Sequence, residues 1–412
     1  MKVSHAWKTE IDPTNRQATI LKESMEISKH IFNTALDERI RSYQNKNQKS
    51  LSFFEQSRLL TSYKKLNHDY CVRTGRVGSY IDLGIKGSYC SRTMVEALKD
   101  VDKSYKHFFR RVKDGKKKPG FPNFKKFNNS CKLEYQNIRV GPDYIDVSKI
   151  GHVRVKERDY FPQDVHINSV SVSRSGGRWY MSLQGDIEIE DPMRDTLRRV
   201  GIDVGISHLA TLSDGVVYDN PKALGQYTRK LRKAQKHLSR CKRGSHNRNK
   251  AKVEVSRIHA VISRLRSDWI HKITTEIVRN YDIIVIEDLN IKGMLSNHHI
   301  ARVLSDASLS ELVRQLMYKA HWYGAQVFKV DRFFPSSKMC SNCGNVKDNL
   351  KLSDRVYHCD NCGLVMDRDL NASHNIMTVA GGLPDTLTAC GDVGSGFCVK
   401  VFDRDVKVKP VL

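Results

Sequence analysis

Four cysteines at positions 340 to 362 have the spacing of a metal site. They form two C-x-x-C pairs, Cys340 with Cys343 and Cys359 with Cys362. Fifteen residues separate the pairs, and a glycine, Gly344 or Gly363, follows each one and permits the left-handed backbone of a metal-binding turn. A redox-active pair is the alternative for a single C-x-x-C, but two pairs at this spacing favour one tetrahedral ion. Four thiolates complete the coordination of Zn²⁺, so we predict a structural zinc site.

A second group of candidate ligands consists of carboxylates. Asp203 lies within the apolar run VGIDVGI, and Glu287 ends the apolar run IIVIE. Asp367 and Asp369 begin DRDLNASHNIM, which we predict to be a short helix. A carboxylate in an apolar strand is costly unless it is paired or metal-bound. If these elements converge, the acids could bind Mg²⁺, which prefers carboxylates, waters and phosphate oxygens. Two such ions about 4 Å apart can drive phosphodiester hydrolysis.

Each acid taken alone has a simpler explanation. An aspartate at a strand end is often an exposed cap or the partner of a surface cation. Asp367 and Asp369 could both cap the helix that they begin. Only the whole set, in a strongly basic chain, favours a nuclease.

The net charge indicates the class of partner. Seventy Lys and Arg against 45 Asp and Glu give a formal charge of +25, and nucleic acid is the polyanion most available to such a chain. Lys222 to Lys250 contains eleven Lys or Arg and no acid. The charge does not reveal an activity, because ribosomal and chromatin-type proteins share it. We predict phosphate contacts in two basic segments, at Lys116, Lys117, Lys118, Lys125, Lys126, Arg229, Lys230, Arg232, Lys233 and Lys236.

Phenylalanines alternate with cations in residues 105 to 127. Aromatic rings among cations can stack on bases while the charges follow the phosphates. Phe108 and Phe109, however, continue an apolar stripe of helical period that starts at Val95, so a core position is the favoured interpretation for them.

The predicted secondary structure changes twice along the chain. Residues 16 to 113 have mostly helical periodicity, and residues 131 to 190 have short alternating strands with a hairpin signal at Gly176-Gly177. From 198 to 331, apolar strands alternate with amphipathic helices, which predicts an α/β core. The cysteine quartet comes after the last strand of that core, so we expect it to be an insertion.

Three runs in this order, GIDVGI, IEDLN and FPSSKMCSNCG…CDNCG…DRDLNAS, resemble TnpB, a family of transposon-encoded RNA-guided nucleases related to the type V CRISPR effectors. The resemblance also includes VEALKDVDKSYKHFFRRVKDGKKKPGFPNFKK, and it covers residues 1 to about 380. The run that joins FPSSK, the cysteines and DRD-x-N is specific to this group.

The resemblance implies an RNase H-like RuvC nuclease domain whose three acids fall on Asp203, Glu287 and Asp369. These would bind two catalytic Mg²⁺, beside one structural Zn²⁺ in the inserted ribbon. Asp367 and Asp288 would have supporting roles. The implied partners are a guide RNA from the transposon end and a double-stranded DNA target next to a short motif, with a monomeric ribonucleoprotein favoured.

The resemblance also gives domain boundaries. A wedge-like β-barrel would comprise 1–15 and 129–195 around a helical recognition lobe at 16–128. The RuvC-like core would comprise 196–338 and 364–380, interrupted by the target-binding zinc ribbon at 339–363. Residues 381–412 would form a tail, which we expect to be disordered.

Three rival hypotheses remain open from the sequence. One is a nuclease-inactive, DNA-binding regulator, which the intact acids disfavour. The second is a strand-transferring transposase, and the third is a miniature type V CRISPR effector with the same chemistry. The sequence has no apolar run of the roughly 20 residues that a spanning helix needs and no signal peptide, so we expect a cytoplasmic, nucleoid-associated protein.

Overall fold

The structure is a computed structural model that describes residues 1–45, 51–65, 91–115, 118–133, 135–136, 138–162, 165–190, 192, 194, 197–351, 353–381 and 400–401. The predicted contacts at Lys116 and Lys117, and nearly all of the predicted tail, lie outside these residues. The chain divides into two compact units, one formed by Lys2–Ile189 and the other beginning at Glu190.

The first unit combines an antiparallel sheet with three helices. Its elements are β1 (Lys2–Asp12), α1 (Asn15–Asn45), α2 (Phe53–Lys65), α3 (Ser91–Lys113), β2 (Ser130–Leu133), β3 (Arg139–Val140), β4 (Tyr144–Val147), β5 (Gly151–Val155), β6 (His166–Ser175) and β7 (Arg178–Glu188). The strand order is β2-β6-β7-β1-β5-β4-β3. The edge strands β2 and β3 do not pair with each other among the described residues, so a closed wedge-like barrel remains a prediction.

The hairpin expected at Gly176-Gly177 joins β6 to β7. Both glycines have positive φ, 59° and 80°, which a two-residue type I′ turn requires. The turn sets the register, in which Ser175 pairs with Arg178 and Val172 with Met181.

The helices have a core of their own, which includes Ile31 and Leu36 of α1 and Leu98 and Val101 of α3. The apolar stripe on α3 continues beyond this core. Phe109 is 60% exposed, so its interpretation as a core residue is wrong. Among the described residues, no helix covers the end of the stripe at Phe109.

The second unit contains the predicted α/β core. Its elements are β8 (Arg199–Asp203), β9 (His208–Leu212), β10 (Val217–Asp219), α4 (Ala223–Arg240), α5 (His246–Asn280), β11 (Ile283–Glu287), α6 (Ile291–Met294), α7 (His298–Ala307), α8 (Leu309–Tyr323), β12 (Gln326–Val330), β13 (Val356–His358), β14 (Val365–Asp367), α9 (Arg368–Gly381) and β15 (Lys400–Val401). The main sheet has the order β10-β9-β8-β11-β12-β15. β8, β11 and β12 are parallel, and the other pairs are antiparallel. The predicted alternation of strands and helices is confirmed.

The central strand β11 is buried on both faces. Ile284 and Ile286 pack in one cluster with residues of α5 and α8, such as Ile277 and Leu312. Ile283 and Val285 pack on the opposite face with α9. This two-sided burial explains the unbroken apolar run IIVI, which is typical of a central parallel strand. Within the described part of the chain, no helix is both long and apolar enough to span a bilayer.

Candidate functional site

Two of the predicted acids lie at the carboxyl ends of neighbouring parallel strands. Asp203 ends β8 and Glu287 ends β11, and the residues just before them, Ile202 and Ile286, are paired in register. Neighbouring strands lie about 4.8 Å apart, so the register puts both acids at one edge of the sheet. That edge is where α/β proteins commonly bind ligands.

The third acid arrives on α9, which packs unusually close to β8. A Cβ atom built on Gly201 would lie 2.2 Å from the carbonyl oxygen of Ser373 and 2.5 Å from the backbone nitrogen of Met377. Only a residue without a side chain permits this contact between helix and strand. Gly201 is two residues before Asp203, so the same strand supplies both the acid and the close approach.

The structure separates the roles of the two aspartates at the start of α9. The Asp367 side chain accepts hydrogen bonds from the backbone N–H groups of Asp369 and Leu370, at 2.8 and 3.0 Å. Asp367 is therefore the helix cap that the sequence left as an alternative for both residues. Asp369 lies in the first helical turn, half-buried, and its carboxylate is not part of this cap.

The other acids influence the ionisation of Asp203. Burial at the strand end and the negative charges of Glu287, Asp369 and Asp367 together raise the pKa of Asp203 to about 8, while the positive charge of Arg368 opposes the rise. The pKa of Glu287 is also raised, chiefly by burial. A group of partly buried carboxylates with little compensating charge is chemically suited to a hard divalent cation.

Ser336, in the FPSSK run, is a further polar residue beside the acids, and its role was not predicted from the sequence. The Ser336 hydroxyl donates a hydrogen bond to Oε1 of Glu287, and this interaction opposes the rise in the pKa of Glu287. Ser336 is 5% exposed, so the bond is protected from water. The two serines before the first C-x-x-C pair were the only indication in the sequence. Only the fold shows that Ser336 contacts Glu287.

Asp288, for which the resemblance implies a supporting role, forms ion pairs with two cations. The Lys329 ammonium lies 3.3 Å from Oδ1 of Asp288, and an Arg332 guanidinium nitrogen lies 3.7 Å from Oδ2. Arg332 also donates to the Asp288 carbonyl oxygen at 3.3 Å. Through its contacts with Arg332, Asp288 connects the segment after β12 to the end of β11.

The four cysteines converge more tightly than the acids do. Among the described residues they are the only group of three or more metal-binding side chains whose ligand atoms all lie within 4.8 Å of one another. The Sγ atoms of Cys340 and Cys362 are 3.6 Å apart, as are those of Cys343 and Cys359. Sulfurs bound at 2.3 Å to a tetrahedral ion would be about 3.8 Å apart. The thiols therefore fit Zn²⁺, and 3.6 Å is far too long for a disulfide.

The surroundings of the thiols shift their pKa values in opposite directions. The backbone N–H of Asn345 and the side-chain amide of Asn361 lower the pKa of Cys343 to about 6, whereas burial raises the pKa of Cys340 to about 11. Gly344 and Gly363 have φ values of 74° and 75°, so their predicted left-handed conformation is confirmed.

Two buried asparagines connect the cysteine ribbon to α9. Asn371 donates to the Met339 carbonyl at 2.7 Å and accepts from the backbone N–H of Ser341 at 3.0 Å. Asn375 donates to the carbonyls of Ser336 and Met339 at 2.7 and 2.6 Å. The ribbon and the helix that carries Asp369 are therefore one bonded assembly.

The basic residues predicted to contact nucleic acid are mostly exposed. Five lie on the solvent face of α4, namely Arg229, Lys230, Arg232, Lys233 and Lys236. None of the five forms an ion pair with another described residue. Lys118 and Lys126 are also exposed. Lys125 is more enclosed, with its ammonium 4.1 Å from the Phe32 ring centroid and 3.8 Å from Asp100. Their contact with nucleic acid stays a prediction.

Three family models match parts of this chain. They are described as "Helix-turn-helix domain" for residues 1–49, "Probable transposase" for 182–298 and "Cas12f1-like, TNB domain" for 310–376. In the described part of residues 1–49 the structure has one strand, β1, and one long helix, α1.

A curated relative extends the match to nearly the whole chain. A protein of Streptomyces pristinaespiralis named "Putative RNA-guided DNA endonuclease" is 35% identical over 95% of this chain and 92% of its own length. The chain belongs to the TnpB family. The resemblance of the GIDVGI, IEDLN and DRDLNAS runs to TnpB is thus confirmed.

Other relatives of this TnpB family member carry similar names. "Putative RNA-guided DNA endonuclease InsQ" of Escherichia coli K12 is 28% identical over 95% of both chains. Among solved structures, a chain of the Cas12f1-sgRNA-target DNA complex matches with a TM-score of 0.35 and 15% identity, covering 91% of this chain and 99% of that one. A TM-score of this size does not establish a shared fold.

Proposed function

We propose that the protein is an RNA-guided DNA endonuclease that binds an RNA from the transposon end and cleaves complementary DNA beside a short motif. The observation that carries the proposal is the convergence of Asp203, Glu287 and Asp369 from β8, β11 and α9. Membership of a family whose curated members are named as endonucleases supports it. The unit from Glu190 would be the RNase H-like RuvC nuclease, and the first unit would be the wedge barrel and recognition lobe.

The three carboxylates would bind two Mg²⁺ ions. When bound, these ions would activate a water and stabilise the leaving oxygen of the phosphodiester. The chain's own residues prepare the ligands. Ser336 occupies one oxygen of Glu287 and so orients the other, while Asp367 fixes the helical turn that carries Asp369. Arg368 supplies a positive charge that partly offsets the buried acids.

The exposed cations of α4, with Lys118 and Lys126, would hold RNA and heteroduplex through their phosphates. Such contacts carry no sequence information, which suits an enzyme that leaves target choice to base pairing. The four cysteines would hold one structural Zn²⁺ that keeps the ribbon folded beside the acids.

The test is guide-programmed plasmid cleavage, with and without Mg²⁺, by the protein and the RNA that co-purifies with it. We expect cleavage only with Mg²⁺. Asp203→Ala should lose cleavage while its RNA affinity stays within about threefold of wild type.

Asp367→Ala is the control, because it removes an acid that caps α9 and lies two residues from Asp369. It should retain more activity than Asp203→Ala. Equal cleavage by wild type and Asp203→Ala would contradict the active-site assignment. Binding without any cleavage by the wild type would favour a non-catalytic regulator.

A further inference from the structure

Two consecutive phenylalanines after β12 have opposite environments. Phe334 is 9% exposed and packs with Val330 and Ile376. Phe333 is 88% exposed, more than any other large hydrophobic residue that the structure describes. Single exposed apolar side chains are common on proteins and need no function. Phe333 differs from such residues in how rigidly it is held and in what lies beside it.

The backbone that carries Phe333 is fixed by hydrogen bonds on both sides. The N–H of Phe333 donates to Oδ1 of Asp331 at 2.9 Å, and the N–H of Phe334 donates to the Asp331 carbonyl at 3.1 Å. Next to it, Arg332 binds Asp288 at the end of β11. The buried Phe334 anchors the other side. The exposed ring therefore projects from a preorganised turn, and a ligand that stacks on it would not have to order the loop first.

This turn leads directly to the carboxylate site. Ser336, three residues after Phe333, donates its hydroxyl to Glu287. Three Cα–Cα steps of 3.8 Å cannot exceed about 11 Å. Bases in a stacked strand repeat about every 3.4 Å, so a strand that enters the carboxylate site beside Ser336 would reach Phe333 within about three nucleotides.

We propose that Phe333 is a stacking site for an unpaired base of the DNA strand that enters the carboxylate site. The inference rests on the proposed function. An aromatic ring stacks on any of the four bases, which suits an enzyme whose protein part does not read sequence. A single strand fits better than a duplex, because the faces of paired bases are already covered by their neighbours. Phe333 is thus a positioning residue that holds the strand in place without contacting the reacting atoms.

A binding experiment tests the contact without requiring cleavage. The protein carrying Asp203→Asn, with its co-purifying RNA, is mixed with single-stranded DNA that has a guide-complementary segment and unpaired flanks, with 5-iodouracil at successive positions of the flanks, and is then irradiated. We expect a photocrosslink to the peptide that contains Phe333 at positions within about three nucleotides of the site cut by the wild type. If no cut site exists, every position is scanned. The crosslink should disappear in Phe333→Ala and persist in Phe333→Trp. An undiminished crosslink in Phe333→Ala, or crosslinks to other segments only, would overturn the proposal.

A kinetic experiment tests the consequence. In the otherwise wild-type complex, Phe333→Ala should raise KM for the DNA strand about 10-fold, and Phe333→Trp should restore it. Val217→Ala is the control, since Val217 is 47% exposed and lies on the edge strand β10. It should leave KM unchanged.

The two proposals fail differently. If the wild type cleaves and Phe333→Ala behaves like it in both experiments, the stacking site is wrong and the nuclease stands. If the wild type never cleaves yet the crosslink depends on Phe333, the nuclease is wrong and the stacking site stands.

Discussion

At the scale of single residues, the α/β unit holds charged groups in two kinds of surroundings. The negative charges of Glu287 and Asp369 disfavour the charged form of Asp203. Lys319 on α8 is the opposite case, a cation with 5% exposure whose ammonium is satisfied by oxygen acceptors. It donates to the His271 carbonyl and to the Thr274 and Thr275 hydroxyls at 2.7 to 2.8 Å. Its role is to join α8 to α5.

Lys319 should make stability depend on pH in the alkaline range. Burial, assisted by the charge of Arg279, lowers the pKa of Lys319 to about 8 from 10.5. Between these values the unfolded chain binds more protons than the folded one, so the free energy of unfolding rises with pH. The difference between these two pKa values limits the rise in the free energy of unfolding to about 3 kcal/mol. Urea unfolding at pH 8 and pH 10 should show the rise in wild type and not in Lys319→Met.

The control for this prediction is Lys272→Met, which removes a cation from α5 whose side chain is 66% exposed. It should keep the wild-type pH dependence. The same rise in Lys319→Met as in wild type would show that the lysine does not titrate in this range.

At the scale of elements, the contact between β8 and α9 depends on Gly201. The methyl group of Gly201→Ala would meet the α9 backbone at 2.2 Å, which no side-chain rotation can relieve. We expect a loss of about 1–3 kcal/mol of stability, or a displaced α9 and a large loss of cleavage through Asp369. Thermal unfolding and cleavage rates would measure both.

Gly225→Ala in α4 is the matched control for Gly201→Ala. Its Cβ would meet only Lys222 Cβ at 3.7 Å, an ordinary contact. Because alanine is the better helix former, this variant should be about 0.5–1 kcal/mol more stable than wild type. A Gly201→Ala variant with wild-type stability and cleavage would contradict the close-packing argument.

The link between the ribbon and α9 predicts that zinc binding and cleavage are coupled. In Cys340→Ser the ribbon should lose its zinc, and cleavage should fall because Asn371 and Asn375 no longer meet an ordered partner. Asn371→Leu separates the two effects, since it keeps the thiols but breaks the link. We expect normal zinc content with cleavage reduced about 100-fold. Zinc analysis and cleavage rates on the same preparations check this.

Cys241→Ser, which changes a free, partly exposed cysteine outside the ribbon, is the control and should alter neither quantity. Unchanged zinc content and full activity in Cys340→Ser would refute the coupling.

At the scale of the whole molecule, the formal charge is +25, and some exposed cations lie beside a carboxylate while others do not. We expect that five substitutions to glutamine on α4 weaken RNA binding and reduce its salt dependence. The altered residues are Arg229, Lys230, Arg232, Lys233 and Lys236. If all five contact phosphates, the slope of log affinity against log salt should shrink by about 3.5, at roughly 0.7 per contact. Fluorescence anisotropy with the co-purifying RNA over a salt series measures the slope.

The control alters five cations that each lie beside a carboxylate. They are Arg41, Lys106, Arg178, Arg257 and Lys272. The formal charge changes equally, but these charges are already balanced locally, so the slope should change much less. Equal slopes for the two variants would mean that α4 does not hold the RNA.

Features that depend on residues close in the chain were determined by the sequence itself. The cysteine quartet and its glycines form local turns, and their predicted conformation is confirmed. The Gly176-Gly177 hairpin and the α/β alternation were predictable for the same reason, because period and turn chemistry are written in consecutive residues.

Features that depend on residues distant in the chain were decided only by the tertiary structure. Asp367 and Asp369 are both helix-start acids in the sequence, and only the structure shows that the Asp367 side chain caps α9 and that the charge of Asp369 acts on Asp203. Phe333 and Phe334 are adjacent residues of the same type, yet only Phe334 is buried in a hydrophobic core. The reason is physical: sequence patterns specify an element and its apolar face, but which partner reaches that face depends on long-range packing.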